Sequence, residues 1–315
     1  MGPAAGRAVS IVYAGRMSRD AETPRQNAES EPPAVRARLC VLASGSSGNC
    51  TVLAFGEGPK ARLVLIDAGL SPRQTALRLG DLGFTLRQVT DVLFTHLDRD
   101  HCAPAWSQAL LSRATLRMHK RHMPRARRQH LLYRTRTELF GEEPFRVPNV
   151  GTVHAALMDH DDLGVAVFRI DLGGHTLGFA TDLGCVRDDL TAHLRGVDTL
   201  AIESNYDPAM QHASNRPMFL KRRIMGGAGH LSNDECARAV RAIEPAHHVV
   251  LLHLSRQCNT PALAAAVHDD AGYALTVSLQ HERTEWIELG GATPPAPKPV
   301  TPSRIQMGLF TPTSA

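Results

Sequence analysis

The sequence predicts an α/β fold in which sheet layers are covered by helices, and three observations carry that expectation. Short β-branched or apolar runs recur through the middle of the chain, segments with helical spacing lie between them, and nearly every run stops at an acid or a histidine. The strand-like runs are Arg38 to Ala43, Cys50 to Phe55, Arg62 to Ile66, Asp91 to Phe94, Val165 to Ile170, Thr176 to Ala180, Thr199 to Ile202 and Val249 to Leu252. Pro72 to Leu82, Ala103 to Ser112, Asn233 to Ile243 and Pro261 to Asp269 have the spacing of helices, and sheets covered by helices follow from the alternation. The chain has no internal repeat of fixed period.

The 315 residues, 43% of them hydrophobic, suffice for a sizeable core. A formal charge of +4 is small for this length, so attraction to nucleic acid has to come from local clustering. Six cysteines without a C-x-x-C pair suggest reduced, buried thiols, not a zinc knuckle or a disulfide framework. The opening residues hold no apolar run fit for a membrane span or a signal segment, so a cytoplasmic protein without membrane attachment is expected. Residues 1–36 read as a disordered leader, 37–290 as the folded body and 291–315 as a Pro-rich disordered tail.

The ends of the runs carry the functional signal. Asp67 follows RLVLI, His96 follows DVLFT, Asp182 follows TLGFAT, Glu203 follows TLAI and His253 follows VVLL. Loops at one edge of a sheet are where a rigid scaffold presents chemistry, so these residues point to one site built from many strand ends. The densest group is THLDRDH, with His96, Asp98, Asp100 and His101 directly after an apolar run. Two imidazoles and two carboxylates so close are costly to order unless a cation occupies their lone pairs.

HLDRDH resembles the H-x-H-x-D-H signature of the metallo-β-lactamase superfamily, and LIDAG, MDHDD, ATDLG and LLHLS follow in that superfamily's order. ASGSSGNC, ESNYDPAM and KRRIMGGAGHLSN are similar more narrowly to the YycJ/WalJ branch, whose members are nucleases linked to DNA repair. The resemblance implies a four-layer αββα sandwich and two divalent ions, zinc, manganese or iron. It places His96, Asp98 and His160 on the first ion, Asp100, His101 and His253 on the second, and Asp182 between them. Asp67 is then expected behind the ligands, orienting a histidine. Asp98 stands where the family usually has a histidine, and Tyr206 stands where the branch has one in its E-x-N-H-D segment. The first substitution shifts the expected metal from zinc toward manganese or iron, or weakens the first site.

Such a site suits phosphodiester cleavage. Asp100, His230 and Glu203 are the expected catalytic residues; His230 resembles the histidine of the H-x-S-T motif in tRNase Z enzymes, and Glu203 is expected to hold and charge it. Ser232 and Asn233 are expected to cap the next helix. The Ser44 to Asn49 turn offers backbone N–H groups for phosphate, and Ser46, Asn49, Asn205, Lys221 and Arg222 are the expected substrate contacts. Arg113 to Arg136 holds nine basic side chains and no acid, a candidate track for a nucleic acid backbone, DNA in the first place. Gln306-Met307-Gly308-Leu309-Phe310 resembles the Q-x-x-L-F peptide that docks on the bacterial sliding clamp. Two other readings fit the same residues: a non-catalytic DNA-binding adaptor with a decayed metal site, and a hydrolase of a small ester or thioester.

Overall fold

A computed structural model of the chain describes residues 37–107, 114–131, 135–160, 162–269 and 271–290. The expected leader and tail, the clamp-like peptide, Arg113 and Arg134 lie outside the described residues. Strands and helices are numbered in chain order. The first sheet holds β1 (Ala37–Ala43), β2 (Cys50–Phe55), β3 (Arg62–Ile66), β4 (Val89–Leu93), β5 (Thr115–His119), β6 (Arg136–Phe140) and β14 (Ile287–Leu289), in the order β14-β1-β2-β3-β4-β5-β6. The second holds β7 (Phe145–Val147), β8 (Gly151–Met158), β9 (Val165–Asp171), β10 (Thr176–Ala180), β11 (Thr199–Glu203), β12 (His248–Leu252) and β13 (Ala274–Val277), ordered β13-β12-β11-β10-β9-β8-β7.

Alternation of side chains across the pleat creates the layers. On β1, Leu39 and Val41 enter the core between the sheets, whereas Cys40 and Leu42 enter a second core with Leu79 of α1 (Pro72–Gly80) and Trp106. On β12, Val250 and Leu252 face the central core; Val249 and Leu251 pack with α3 (Asp188–Leu194) and α6 (Asn233–Ile243). The result is four layers, helices on sheet on sheet on helices, as expected. All six cysteines are free, five of them buried.

Two sets of parallel strands position the site. β3, β4, β5 and β6 run parallel to one another in the first sheet, and β10, β11, β12 and β13 in the second. Parallel strands bring their carboxyl ends to one edge, where open α/β sheets place ligands. The backbone bond from Ala166 N to the Thr95 carbonyl (2.8 Å) ties the sheets together beside that edge.

The predicted runs fall on strands β1 to β4 and β9 to β12, with ends that shift by a residue or two. Ala103 to Ser112 differs: the described part is a 3-10 turn over Pro104–Ser107. β5 escapes the sequence reading because Arg117 interrupts it, yet Arg117 is buried and its Nε donates to Asp91 at 2.8 Å. A buried ion pair lets an arginine stand in a central strand that apolar patterning alone rejects.

Candidate metal centre

Three of the strand-end residues adopt left-handed backbone: Asp67 (φ 62°), Asp182 (φ 50°) and His253 (φ 57°), after β3, β10 and β12. Such a conformation disfavours residues other than glycine and is held where surrounding structure over-determines it. Here it bends the chain sharply at the sheet edge, so the side chains gather there. The turns are laced backbone to backbone. Asn49 N donates to the Asp100 carbonyl (2.6 Å), Gly69 N to the Asn49 carbonyl (2.8 Å) and Ala68 N to the His101 carbonyl (2.7 Å). A Cβ at Gly69 would lie 1.7 Å from the Asp100 carbonyl oxygen, so only glycine fits that crossing.

Asp182 is the hub. Its Oδ2 lies 2.9 Å from His101 Nε2 and 3.4 Å from His96 Nε2, and its Oδ1 lies 2.6 Å from His253 Nδ1. His253 Nε2 faces Asp100 Oδ2 at 3.6 Å. Three donor sets share Asp182: His96, His160 and Asp182; Asp100, His101, Asp182 and His253; and, overlapping the second at His253, Asp182, Glu203, His230 and His253, each with ligand atoms within 4.8 Å of one another. All of these residues are buried except Asp100 and His230, which are partly exposed.

Neighbouring groups engage Nδ1 of His101 and of His160. His101 Nδ1 is 2.7 Å from Asp67 Oδ2, and Asp67 also accepts from Thr95 N (2.8 Å) and Thr95 Oγ1 (2.8 Å). His160 Nδ1 donates to the Gly229 carbonyl at 3.2 Å, which leaves Nε2 as the acceptor. Nε2 of His96 and Nε2 of His253 are buried with no hydrogen-bond partner. Unpartnered buried imidazole nitrogens beside a shared carboxylate are the residue pattern of a cation site, and histidine with carboxylate suits zinc, manganese or iron.

Burial is the largest influence on His101 and His253 and opposes their charge. The surrounding carboxylates together, Asp182 and Asp67 on His101 and Asp182, Asp100 and Glu203 on His253, nonetheless hold both imidazoles well above the usual range. These two rings therefore carry protons that an incoming cation has to displace. Burial likewise works to raise Asp182, yet His253 and His101 hold it well below the usual carboxylate range. Burial pushes His160 down, keeping that imidazole neutral, the form that ligates.

Beside this centre Glu203, at the end of β11, receives His230 Nδ1 at 2.7 Å and the Leu183 N–H at 2.8 Å. Burial works to raise its carboxyl, but His230 holds it below the ordinary value, so the ionised carboxylate accepts and Nδ1 carries the hydrogen. His230, Asp100, Asp182, His160 and His253 line one cavity of about 410 Å³.

The structure does not bring every expected residue into the centre. Asp98 lines the cavity but joins none of the donor sets, because the guanidinium of Arg125 in α2 (Met123–Arg128) holds its carboxylate. The Ser44 to Asn49 turn is not an open anion nest. Asn49 Oδ1 accepts from Gly45 N (2.7 Å), Ser47 N donates to Gln280 Oε1 (2.9 Å), and Asn49 Nδ2 sits 2.9 Å from His101 Nε2. Asn49 thus organises donors, and Ser44 Oγ accepts the His253 N–H at 2.7 Å. Ser46 and Asn205 do line the cavity, with Asn205 Nδ2 donating to the His253 carbonyl (2.7 Å).

Lys221 and Arg222 do not line it. On α5 (Met218–Met225) the cavity side is Leu220, Arg223 and Ile224, while Lys221 Nζ donates to the His212 carbonyl at 2.6 Å. Helical spacing separates Arg223 from its two basic neighbours, a signal present in the sequence. Arg216, in the loop between α4 (Pro208–Ala213) and α5, also lines the cavity and was not anticipated. Tyr206 is buried beside Ser232, where burial pushes its phenol up to about 12, and it lines a different pocket. Ser232 caps α6 in a capping box with Glu235, as expected. The basic stretch is partly neutralised by acids from other segments: Arg117 pairs with Asp91 and Glu138, Arg125 with Asp98, and Arg136 with Glu138. Arg121, Arg127 and Arg128 remain exposed.

The model of the β-lactamase superfamily domain matches residues 62–254, which include every donor named above. The chain belongs to that superfamily. It is a metal-dependent hydrolase with the four layers of this fold. The chain is 28% identical over 256 residues to exodeoxyribonuclease YycJ of Bacillus anthracis, covering 78% of this chain and 94% of that protein. It is 27% identical over 240 residues to exodeoxyribonuclease WalJ of Streptococcus pneumoniae, covering 72% and 85%. Among solved structures, the metallo-β-lactamase fold protein YhfI from Bacillus subtilis aligns with a TM-score of 0.60 at 16% identity, over 80% of this chain and 99% of that one. No helix among the described residues is long and apolar enough to cross a membrane.

Proposed function

We propose that this superfamily member is a two-metal phosphodiesterase that cleaves DNA. The observation that carries this reading is two donor sets meeting at Asp182, with Nε2 of His96 and of His253 buried beside carboxylates and without a hydrogen bond. His96, His160 and Asp182 would hold one ion, and Asp100, His101, Asp182 and His253 the other. Bound there, the ions would supply Lewis-acid polarisation of a phosphoryl oxygen and acidification of water. Asp67 orients His101, Ser44 and Asn205 position His253 through its backbone, and Glu203 fixes the ring of His230. With its Nδ1 held by Glu203, His230 can deliver a proton from Nε2 to the leaving oxygen. The exodeoxyribonuclease names of the relatives support DNA as the polymer.

The test is hydrolysis of a chromogenic phosphodiester and of labelled DNA in manganese, zinc or magnesium, alongside metal analysis. About two ions per chain, with cleavage lost in His96→Ala, is the expected outcome. Fewer than about one ion with no cleavage in any metal would leave only a DNA-binding adaptor. We further propose that residues 306–310 tether the protein to the sliding clamp; titration of clamp with the full chain and with Phe310→Ala checks this, equal affinity refuting it.

A further inference from the structure

Arg216 is held in place by three neutral side chains. Its Nε donates to Gln257 Oε1 (3.1 Å), Nη1 to Gln211 Oε1 (3.0 Å) and Nη2 to Ser255 Oγ (3.2 Å). All three acceptors are neutral, and among the described residues Arg216 makes no ion pair, whereas Arg117, Arg125 and Arg187 each pair with a carboxylate. A guanidinium has five N–H donors, so two remain for a ligand in a side chain already locked by its partners. Arg216 lines the cavity that holds His230, Asp100 and Asp182.

Immediately after it, α5 exposes Met218 (60%) and Phe219 (74%) to solvent. Leu220 and Arg223 line the cavity. Phe219 is not itself among the lining residues, but it stands four residues before Arg223 and directly before Leu220, on the part of the helix face that adjoins the lining side chains. An exposed ring between arginines matches the face of a nucleic acid base, which stacks on aromatic side chains while cations hold the backbone. Inside a duplex both faces of a base are covered by its neighbours. A ring of this kind therefore takes an unpaired or frayed nucleotide.

We propose that Arg216 anchors a phosphate of an unpaired nucleotide whose base stacks on Phe219, so that the site admits single-stranded ends in preference to blunt duplex. The proposal rests on the phosphodiesterase reading and names the substrate of that site.

The test uses the full chain as purified and a short fluorescein-labelled, phosphorothioate-linked oligothymidine, followed by anisotropy. Phe219→Ala is expected to weaken binding about tenfold, and Phe219→Trp to restore it. Arg216→Gln is expected to raise KM for a cleavable single strand about tenfold with kcat kept, and Arg216→Lys to recover only part, since ammonium lacks the planar fork. A blunt duplex is expected to bind about tenfold more weakly than the single strand. Equal affinity for single strand and duplex would overturn the proposal, as would Phe219→Ala binding like wild type, or Phe219→Ala converting a dimer to a monomer at unchanged affinity. Cleavage of a small chromogenic diester by the wild type tests the phosphodiesterase reading separately, because binding is read without turnover.

Discussion

The two donor sets proposed to hold the ions, which share Asp182, are built differently. Around the second, carboxylates stand behind and beside the ligands: Asp67 on His101 Nδ1, Glu203 3.1 Å from His253 Nδ1, and Asp100 within the set itself. Around the first, the supports are neutral: a Thr95 hydroxyl 3.0 Å from His96 Nδ1 and the Gly229 carbonyl on His160 Nδ1. Asp98, which lines the same cavity, is drawn to Arg125. Anionic partners raise the basicity of an imidazole and compensate a cation's charge. From this contrast we expect the second set to hold its ion more tightly than the first, through partners that never touch a metal.

The largest disturbance of this contrast is to erase it. Asp182→Asn removes the shared charge, and the expected result is loss of both ions and a fall in phosphodiester hydrolysis of about a thousandfold or more, measured by metal analysis and initial rates. Asp67→Asn strikes one half only. Chelator competition should then show one ion bound about 10–100-fold more weakly and the other little changed. Arg125→Gln sharpens the comparison from the opposite side: releasing Asp98 is expected to tighten the weaker ion severalfold in the same competition assay. An unchanged weak site would show that Asp98 cannot reach it. The smallest effect belongs to Ser44→Ala, which deletes the acceptor for the His253 N–H and should cost about 1 kcal/mol in urea unfolding of the metal-free protein.

What could be read from the sequence follows from range of interaction. Asp67, Asp182, Glu203 and His253 were legible because each is the first ionisable residue at the end of an apolar strand, and parallel strands carry such residues to a common edge without further information. β5 was not, because the acids that permit Arg117 lie on β4 and β6 and pairing across strands leaves no local pattern. Asp98 was read from its place in HLDRDH, but its fate depends on Arg125, a residue of a later helix. Arg216 was invisible for the same reason: its partners Gln211, Ser255 and Gln257 are uncharged and come together only in the fold. α5 reads as a basic cluster in one dimension, and its helical turn decides that Arg223, not Lys221, lines the cavity.

The crossing of Gly69 over the Asp100 carbonyl gives an experimenter an unusual handle. A single methyl placed there would wedge apart two turns that carry Asp67 on one side and Asp100 with His101 on the other, while every coordinating side chain stays chemically intact. Gly69→Ala is thus a route to a protein that keeps its full complement of imidazoles and carboxylates and yet has them out of alignment, a sharper control for catalysis than deleting any one of them.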